Sequence, residues 1–423
     1  MSRPPAAQPW TAPTAQRALA ARVRLPGSKS ATARSLVLAC QAQSPSRLDR
    51  PLQARDSELM VAALRQLGAQ IDDHDPAHWT VQPLAEVQPG QTIDCGLAGT
   101  VMRFLPPLAA AAPGPTRFEG DRAAADRPLA GLLDGLRQLG AAADSDRLPF
   151  RLTGPVVGGR AVIDASRSSQ FVSGLLLSGA SWPRGLDLGH RGGPIPSRPH
   201  IAMTVQALAD RGVAVAQPDP STWRIAPGPI QGRVEVIEPD LTTAAVFLAA
   251  ALVAGGSVTV PDWPARSNQP GWAAPAVLSR FGGSWSLTPE GLTMTGDGRL
   301  SGVDLDLADH SELICVAAGL ACLAATPSRI RGVGHVRGHE TDRLAALTSQ
   351  LSGLGADCQE TADGLAIRPA RLRGGLFRTF GDHRLAHAAA LVGLRQDGVE
   401  LDDVAVVSKT MPDFAAVWQG LLL

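Results

Sequence analysis

The 423-residue chain has no tyrosine, one asparagine (Asn268) and only two lysines, Lys29 and Lys409, among 39 Lys and Arg. The remaining 37 basic residues are arginine. Lys, Asn and Tyr share A/T-rich codons, so a GC-rich genome accounts for the drift from Lys to Arg wherever either side chain serves. The two lysines that survive then mark places where a compact ammonium with a movable pKa is not replaced by a planar guanidinium. Net charge is lacking too. The 39 acidic residues balance the 39 basic ones, which excludes a global field for nucleic acid or an anionic membrane. A charged substrate must be met locally. The five cysteines, Cys40, Cys95, Cys315, Cys322 and Cys358, are odd in number and form neither CxxC nor a zinc spacing. They read as reduced core residues of a cytoplasmic protein. The longest apolar runs, 246–254 and 313–325, fall short of a bilayer span, and the start of the chain has Pro and polar residues where a signal peptide needs an apolar core. A disordered tail of about twenty residues is expected there.

What is present is repetition. LRQLGA ends at Ala69 and again at Ala141, LADRGV at Val213, LSRFGG at Gly283 and LSGLGA at Ala356. The glycines of this phrase, Gly68, Gly140, Gly212, Gly282 and Gly355, lie 72, 72, 70 and 73 residues apart. Each follows leucines at helical spacing, such as Leu129, Leu132, Leu133, Leu136 and Leu139, so each glycine reads as the left-handed residue just past a helix. A sixth copy is cut short near the C-terminus, at 412–422. Interleaved with these are stretches apolar on nearly every face, 31–40, 100–112, 168–180, 242–254, 312–325 and 383–393, which predict buried helices. Their starts, at Ser30, Thr100, Ser169, Thr242, Glu312 and His383, repeat with the same period of 69 to 73 residues. Six units of one buried helix, one half-exposed helix and short strands therefore fill the chain. Three units make a body of normal size, so two pseudo-threefold α/β domains are expected. The boundaries are 24–238 for the first, and 239–423 with 1–23 for the second.

The helix starts share a chemistry. A helix N-terminus offers unpaired N–H groups and about half a positive charge. PGSKSATAR (26–34) adds Ser28, Lys29, Ser30 and Arg34. LAGTVMRF (97–104) adds Gly99, Thr100 and Arg103, and SRSSQF (166–171) adds Ser168, Ser169 and Gln170. Further along come Arg127 in ADRPL, Ser197 and His200 in PSRPH, Arg343 in GHETDR, Arg384 in HRLAH and Lys409 in SKTMP. One such cluster is ordinary capping; six predict a cleft for more than one anionic group. Two carboxylates, Glu312 and Glu340, stand against this basic set, where they are costly unless they move protons. HVRGH and HRLAH each space histidines four apart, but neither is HExxH and no third ligand is evident, so no metal is expected.

In this order, LPGSKS, AGTVMR, RPLAGL, SSQFVSGLL, DLTTAAVFLAAA, HETDRL, DHRLA and KTMP resemble the signature set of the 5-enolpyruvylshikimate-3-phosphate synthases, across about residues 25–414. The resemblance implies two inverse α/β barrel domains, each of three βαβαββ units. It implies a reaction in which phosphoenolpyruvate and shikimate 3-phosphate give 5-enolpyruvylshikimate 3-phosphate and phosphate, on the way to chorismate and the aromatic amino acids, with no cofactor. By motif position it implies that shikimate 3-phosphate is held by Lys29, Ser30, Arg34, Ser168, Ser169, Gln170, Ser197, Glu312 and His339. Phosphoenolpyruvate falls to Lys29, Gly99, Arg127, Gln170, Arg343, Arg384 and Lys409. Glu312 is the implied base, and Glu340, Lys29 and His383 are the implied proton sources. The partners are then two small molecules, with no nucleic acid or membrane, and a monomer is expected.

The sequence also departs from the family pattern. Leu97 stands where Asn often precedes AGT, Glu312 replaces the usual Asp, His335 and His339 replace Asn and Lys, and His200 replaces Tyr. An imidazole is only partly charged at neutral pH, so His339 weakens the substrate-side transfer most. Three alternatives remain. A sister enolpyruvyl transferase acts on UDP-N-acetylglucosamine with a loop cysteine, but 113–128 contains none. A paralogue acting on another ring acid, or a non-catalytic anion-binding protein, are the others.

Overall fold

The computed structural model describes residues 9–423. Twelve α-helices are found among them: α1 (Lys29–Cys40), α2 (Arg55–Gln66), α3 (Val101–Ala109), α4 (Ala130–Gln138), α5 (Gln170–Gly179), α6 (Pro199–Ala209), α7 (Leu241–Ala254), α8 (Ala274–Ser279), α9 (Ile314–Leu323), α10 (Arg343–Gly353), α11 (His383–Gly393) and α12 (Phe414–Gly420). The odd-numbered helices are the buried series. Their first residues lie within two positions of the predicted starts, and in α11 every residue is buried. The even-numbered helices are amphipathic. Five of them end at the repeat glycines, which have φ of 104°, 111°, 82°, 115° and 93° at Gly68, Gly140, Gly212, Gly282 and Gly355. A side chain at those angles would press Cβ on the carbonyl, so glycine ends each helix and turns the chain toward the next strand.

Strands between the helices form six small sheets of one pattern. In the second repeat, Thr92–Asp94 runs parallel to Gly114–Glu119, which pairs antiparallel with Phe150–Gly154, and that strand pairs with Ala142–Ala143. The spatial order 1-2-4-3 of a βαβαββ unit recurs in the other four-stranded sheets. Two repeats take their first strand from a distant part of the chain. Val234–Val236 lies parallel to Ser46–Asp49, and Leu19–Arg22 lies parallel to Gly256–Val260. In the sixth repeat, whose sheet has three strands, Trp10–Thr11 pairs antiparallel with Val399–Leu401. The expected tail is thus corrected: residues 10–11 and 19–22 are strands, because main-chain donors and acceptors at those sheet edges need partners. Its residues 1–8 lie outside the described residues.

Contacts divide the chain into Pro26–Glu238 and a second unit made of the chain up to Leu25 with Pro239–Leu423. Each has its own apolar core. In the first, α1, α3 and α5 pack on one another; in the second, α7, α9 and α11 do. Close approach is purchased by small residues. Pro107 has no N–H to offer the Arg103 carbonyl inside α3, and that oxygen lies 2.2 Å from where a Cβ at Gly174 of α5 would sit. Only glycine fits there.

Candidate active site

Within Pro26–Glu238 the predicted residues gather where the buried helices begin. Ser28 caps α1 by accepting from the Ala31 N–H at 3.4 Å, which leaves Lys29 and Ser30 on the first turn. The Lys29 ammonium lies 3.3 Å from the carboxylate of Asp56, whose side chain is only 4% exposed. Arg34 is buried, and its guanidinium donates to the Thr204 hydroxyl at 2.8 Å, the Ser30 carbonyl at 2.7 Å and the His200 carbonyl at 2.9 Å. Its face also lies over Phe104, 5.1 Å from the ring centre. Burial pulls this guanidinium down to about 9, which still leaves it charged at neutral pH. Arg34 thus ties α1 to α6.

At the starts of α3 and α5, Arg103 donates to the Gln170 side-chain oxygen at 2.8 Å and to the Pro128 carbonyl at 3.1 Å. Arg127 donates to the Leu97 carbonyl at 2.9 Å, and its buried Nε–H meets no acceptor. Gly99 faces both cations: a Cβ there would stand 2.8 Å from Arg127 Nη2 and 3.0 Å from Arg103 Nη1. Ser168 accepts from the Gln170 N–H at 3.2 Å, beside the buried Ser169. Ser197 sits just before α6 with φ of 48°, a left-handed conformation that costs a non-glycine residue about 1–2 kcal/mol. The His200 N–H donates to the Ser197 carbonyl at 3.1 Å, and the Ser173 hydroxyl of α5 donates to the His200 carbonyl at 3.3 Å. One network therefore joins α1, α5 and α6, and another joins α3, α5 and Pro128.

In the second unit the predicted residues meet as ions. Glu340 bridges two cations, with Lys409 Nζ at 2.6 Å and Arg343 Nη2 at 3.1 Å. Arg343 also grips Asp382 through Nε at 2.7 Å and Nη2 at 3.2 Å, and donates through Nη1 to His339 Nδ1 at 2.8 Å. Burial works against the Arg343 charge, but the carboxylates of Asp382 and Glu340 outweigh it and raise its pKa above the ordinary value. Asp382 caps α11 by accepting from the Arg384 N–H at 2.9 Å. His383 Nδ1 is 3.8 Å from Asp382 Oδ1, beyond hydrogen-bond range. Glu312 lies in the 3-10 turn Ser311–Leu313 that leads into α9. Neighbouring His335 meets the Ser311 hydroxyl at 2.9 Å, and burial lowers its pKa despite the opposing pull of Glu312.

Two carboxylates escaped the sequence reading. Asp56 and Asp382 pair with Lys29 and Arg343 across 27 and 39 residues. Asp382 had a legible local signal as the residue ahead of a helix, but nothing local points to its partner. Among the described residues, no three His, Cys, Asp or Glu side chains come together as a metal site.

Comparison with known proteins identifies the family. The family model described as EPSP synthase (3-phosphoshikimate 1-carboxyvinyltransferase) matches residues 13–418. A curated protein from Kocuria rhizophila, named 3-phosphoshikimate 1-carboxyvinyltransferase, is 50% identical over 414 residues, covering 95% of this chain and 93% of its own. Two solved structures of EPSP synthase from Acinetobacter baumannii share the fold, with TM-scores of 0.80 and 0.79, 20% identity and 98% coverage of both chains. With the match spanning nearly every repeat, the chain belongs to the EPSP synthase (3-phosphoshikimate 1-carboxyvinyltransferase) family.

Proposed function

We infer that this enzyme performs its family's reaction, moving the enolpyruvyl group of phosphoenolpyruvate to the 5-hydroxyl of shikimate 3-phosphate, with the following division of labour. Shikimate 3-phosphate is held by Lys29, Ser30, Ser168, Ser169, Gln170, Ser197 and Glu312; His339, which the family pattern adds, is bonded to Arg343. Arg34, which the family pattern adds to that set, also fixes Ser30 and His200, with three of its five N–H donors on Ser30, His200 and Thr204. Phosphoenolpyruvate draws on Lys29, Gly99, Arg127, Gln170, Arg343, Arg384 and Lys409. Glu312 takes the proton of the 5-hydroxyl as the hydroxyl oxygen attacks C2 of phosphoenolpyruvate. The proton for C3 comes from Glu340, Lys29 or His383. Glu340 is best supplied, because Lys409 stands 2.6 Å from its carboxylate. The tetrahedral ketal so formed then loses phosphate and a methyl proton, restoring the double bond. Positioning and charge stabilisation supply most of the rate.

The observation that carries this reading is the Lys409–Glu340–Arg343 cluster, where a carboxylate 6% exposed lies between two cations. A scaffold that merely binds anions gains nothing from a buried carboxylate. The absence of cysteine from 113–128 weighs against the UDP-sugar acceptor. We place the protein in the cytoplasm, which its five buried free thiols suit, and expect a monomer, since each repeat sheet finds its strands within one chain. The test is phosphate release from phosphoenolpyruvate, with shikimate 3-phosphate or UDP-N-acetylglucosamine as acceptor. Release with the first alone is expected, and release only with the second overturns the acceptor assignment.

A further inference from the structure

Arg343 has five N–H donors and no acceptor. Its Nε–H and one Nη2–H go to Asp382, the other Nη2–H goes to Glu340, and one Nη1–H goes to His339. A single Nη1–H is left for a ligand. The contact to His339 also fixes a proton. Because a guanidinium only donates, the Nδ1 atom 2.8 Å away must present its lone pair. The imidazole is then neutral, with its proton on Nε2.

We propose that His339 is a positioning residue for Arg343: as a neutral Nε2–H imidazole it occupies one Nη1–H and so decides which donor Arg343 turns to phosphoenolpyruvate. This rests on the assignment of Arg343 to that substrate, and it changes the part of His339, which the family pattern gives to shikimate 3-phosphate. A cation in its place cannot accept from Arg343 and repels it. Nearby His335 is engaged by the Ser311 hydroxyl, its ring 6.1 Å from that of His339, so it does not compete for Arg343.

The experiment pairs kinetics with a spectroscopic reading on the full-length enzyme. His339→Ala removes the acceptor and should raise KM for phosphoenolpyruvate about tenfold, the usual scale for a hydrogen bond to a charged group. KM for shikimate 3-phosphate should stay within about twofold. His339→Asn, whose Oδ1 stands near the lost Nδ1, should recover most of the affinity, and His339→Lys should be no better than His339→Ala. Long-range proton–nitrogen NMR of the wild type should show the Nε2–H neutral tautomer. A loss confined to shikimate 3-phosphate, a lysine variant better than the alanine one, or a proton on Nδ1 overturns the proposal. If wild-type enzyme releases no phosphate with shikimate 3-phosphate, the functional reading fails by itself, and the tautomer still decides the case of His339.

Discussion

The two units build the same three-helix core, and the arginines at their helix starts are held differently. In Pro26–Glu238, Arg34 and Arg127 are bonded to hydroxyl and carbonyl oxygens, which orient a guanidinium without cancelling its charge. In the second unit Arg343 and Lys409 are bonded to the carboxylates of Asp382 and Glu340. There the three cations Arg343, Arg384 and Lys409 stand against Glu312, Glu340 and Asp382. On the proposed roles, a field that attracts anions and a relay that moves protons need opposite arrangements, and the two sets of partners at the helix starts suit them.

Glu340→Gln should separate the two most sharply. It removes the proton shuttle beside Lys409, and kcat should fall about 10²–10⁴-fold, the span of general acid–base catalysis. Asp56→Asn, which only loosens Lys29, should cost about tenfold, a single charge-assisted hydrogen bond. Equal losses in steady-state assays would erase the distinction. Next comes stability. Asp382→Asn leaves Arg343 underpaired in a buried site and should destabilise by about 3 kcal/mol, whereas Thr204→Ala, which takes one neutral acceptor from Arg34, should cost about 1 kcal/mol in denaturant unfolding.

Lysine identity gives a third probe. Lys29→Arg and Lys409→Arg should each lower kcat/KM at least about tenfold, because a guanidinium cannot match the geometry or pKa of an ammonium. Arg47→Lys, at an exposed ion pair with Asp49, should change nothing measurable.

A smaller effect concerns His387, one turn after His383 and stacked on Phe414 at 5.3 Å. Both its ring nitrogens are buried without partners, and burial, aided by Arg384 and Arg343, holds its pKa well below 6.5. Below about pH 6.5 the unfolded chain therefore binds the proton that the folded chain refuses, so this residue costs stability progressively as pH falls. His387→Leu should make the second unit's unfolding free energy less sensitive to acid between about pH 6.5 and 5, and an unchanged slope would refute the assignment.

The smallest effect is strain. Each unit keeps one non-glycine residue in left-handed conformation ahead of a site helix, Ser197 at φ 48° and Phe380 at φ 51°. Phe380→Gly should stabilise by about 0.5 kcal/mol, the strain relieved less the entropy glycine adds. Ser197→Gly should gain as little and raise KM for shikimate 3-phosphate, since the hydroxyl goes with it.

The repeats were legible because their signals are local. Apolar runs, leucine spacing and a glycine every seventy or so residues give both helix series to within two positions at the buried starts. The residue types at those starts were legible in short motifs, Lys29, Glu340 and Arg343 among them, and the structure brings Glu340 and Arg343 into one ion cluster. Less visible was which cations are spent internally. Arg34 and Arg343 both looked like ligand clamps, and both give most of their donors to the protein. The N-terminal strands were missed for a similar reason: Trp10–Thr11 and Leu19–Arg22 have too little pattern to read alone, and they exist because sheets formed some 390 and 240 residues away, respectively, leave an edge to pair.

By itself the sequence determined the sixfold period, the burial of one helix series and the residue types at their starts, because hydrophobic periodicity and helix termination are set by neighbours in the chain. The tertiary structure alone decided that Asp56 meets Lys29, that Asp382 and Glu340 claim Arg343, and that His339 offers a lone pair rather than a proton. Hydrogen-bond donors are finite and directional, so who pairs with whom is fixed only when side chains from distant helix starts come within hydrogen-bond reach of one another.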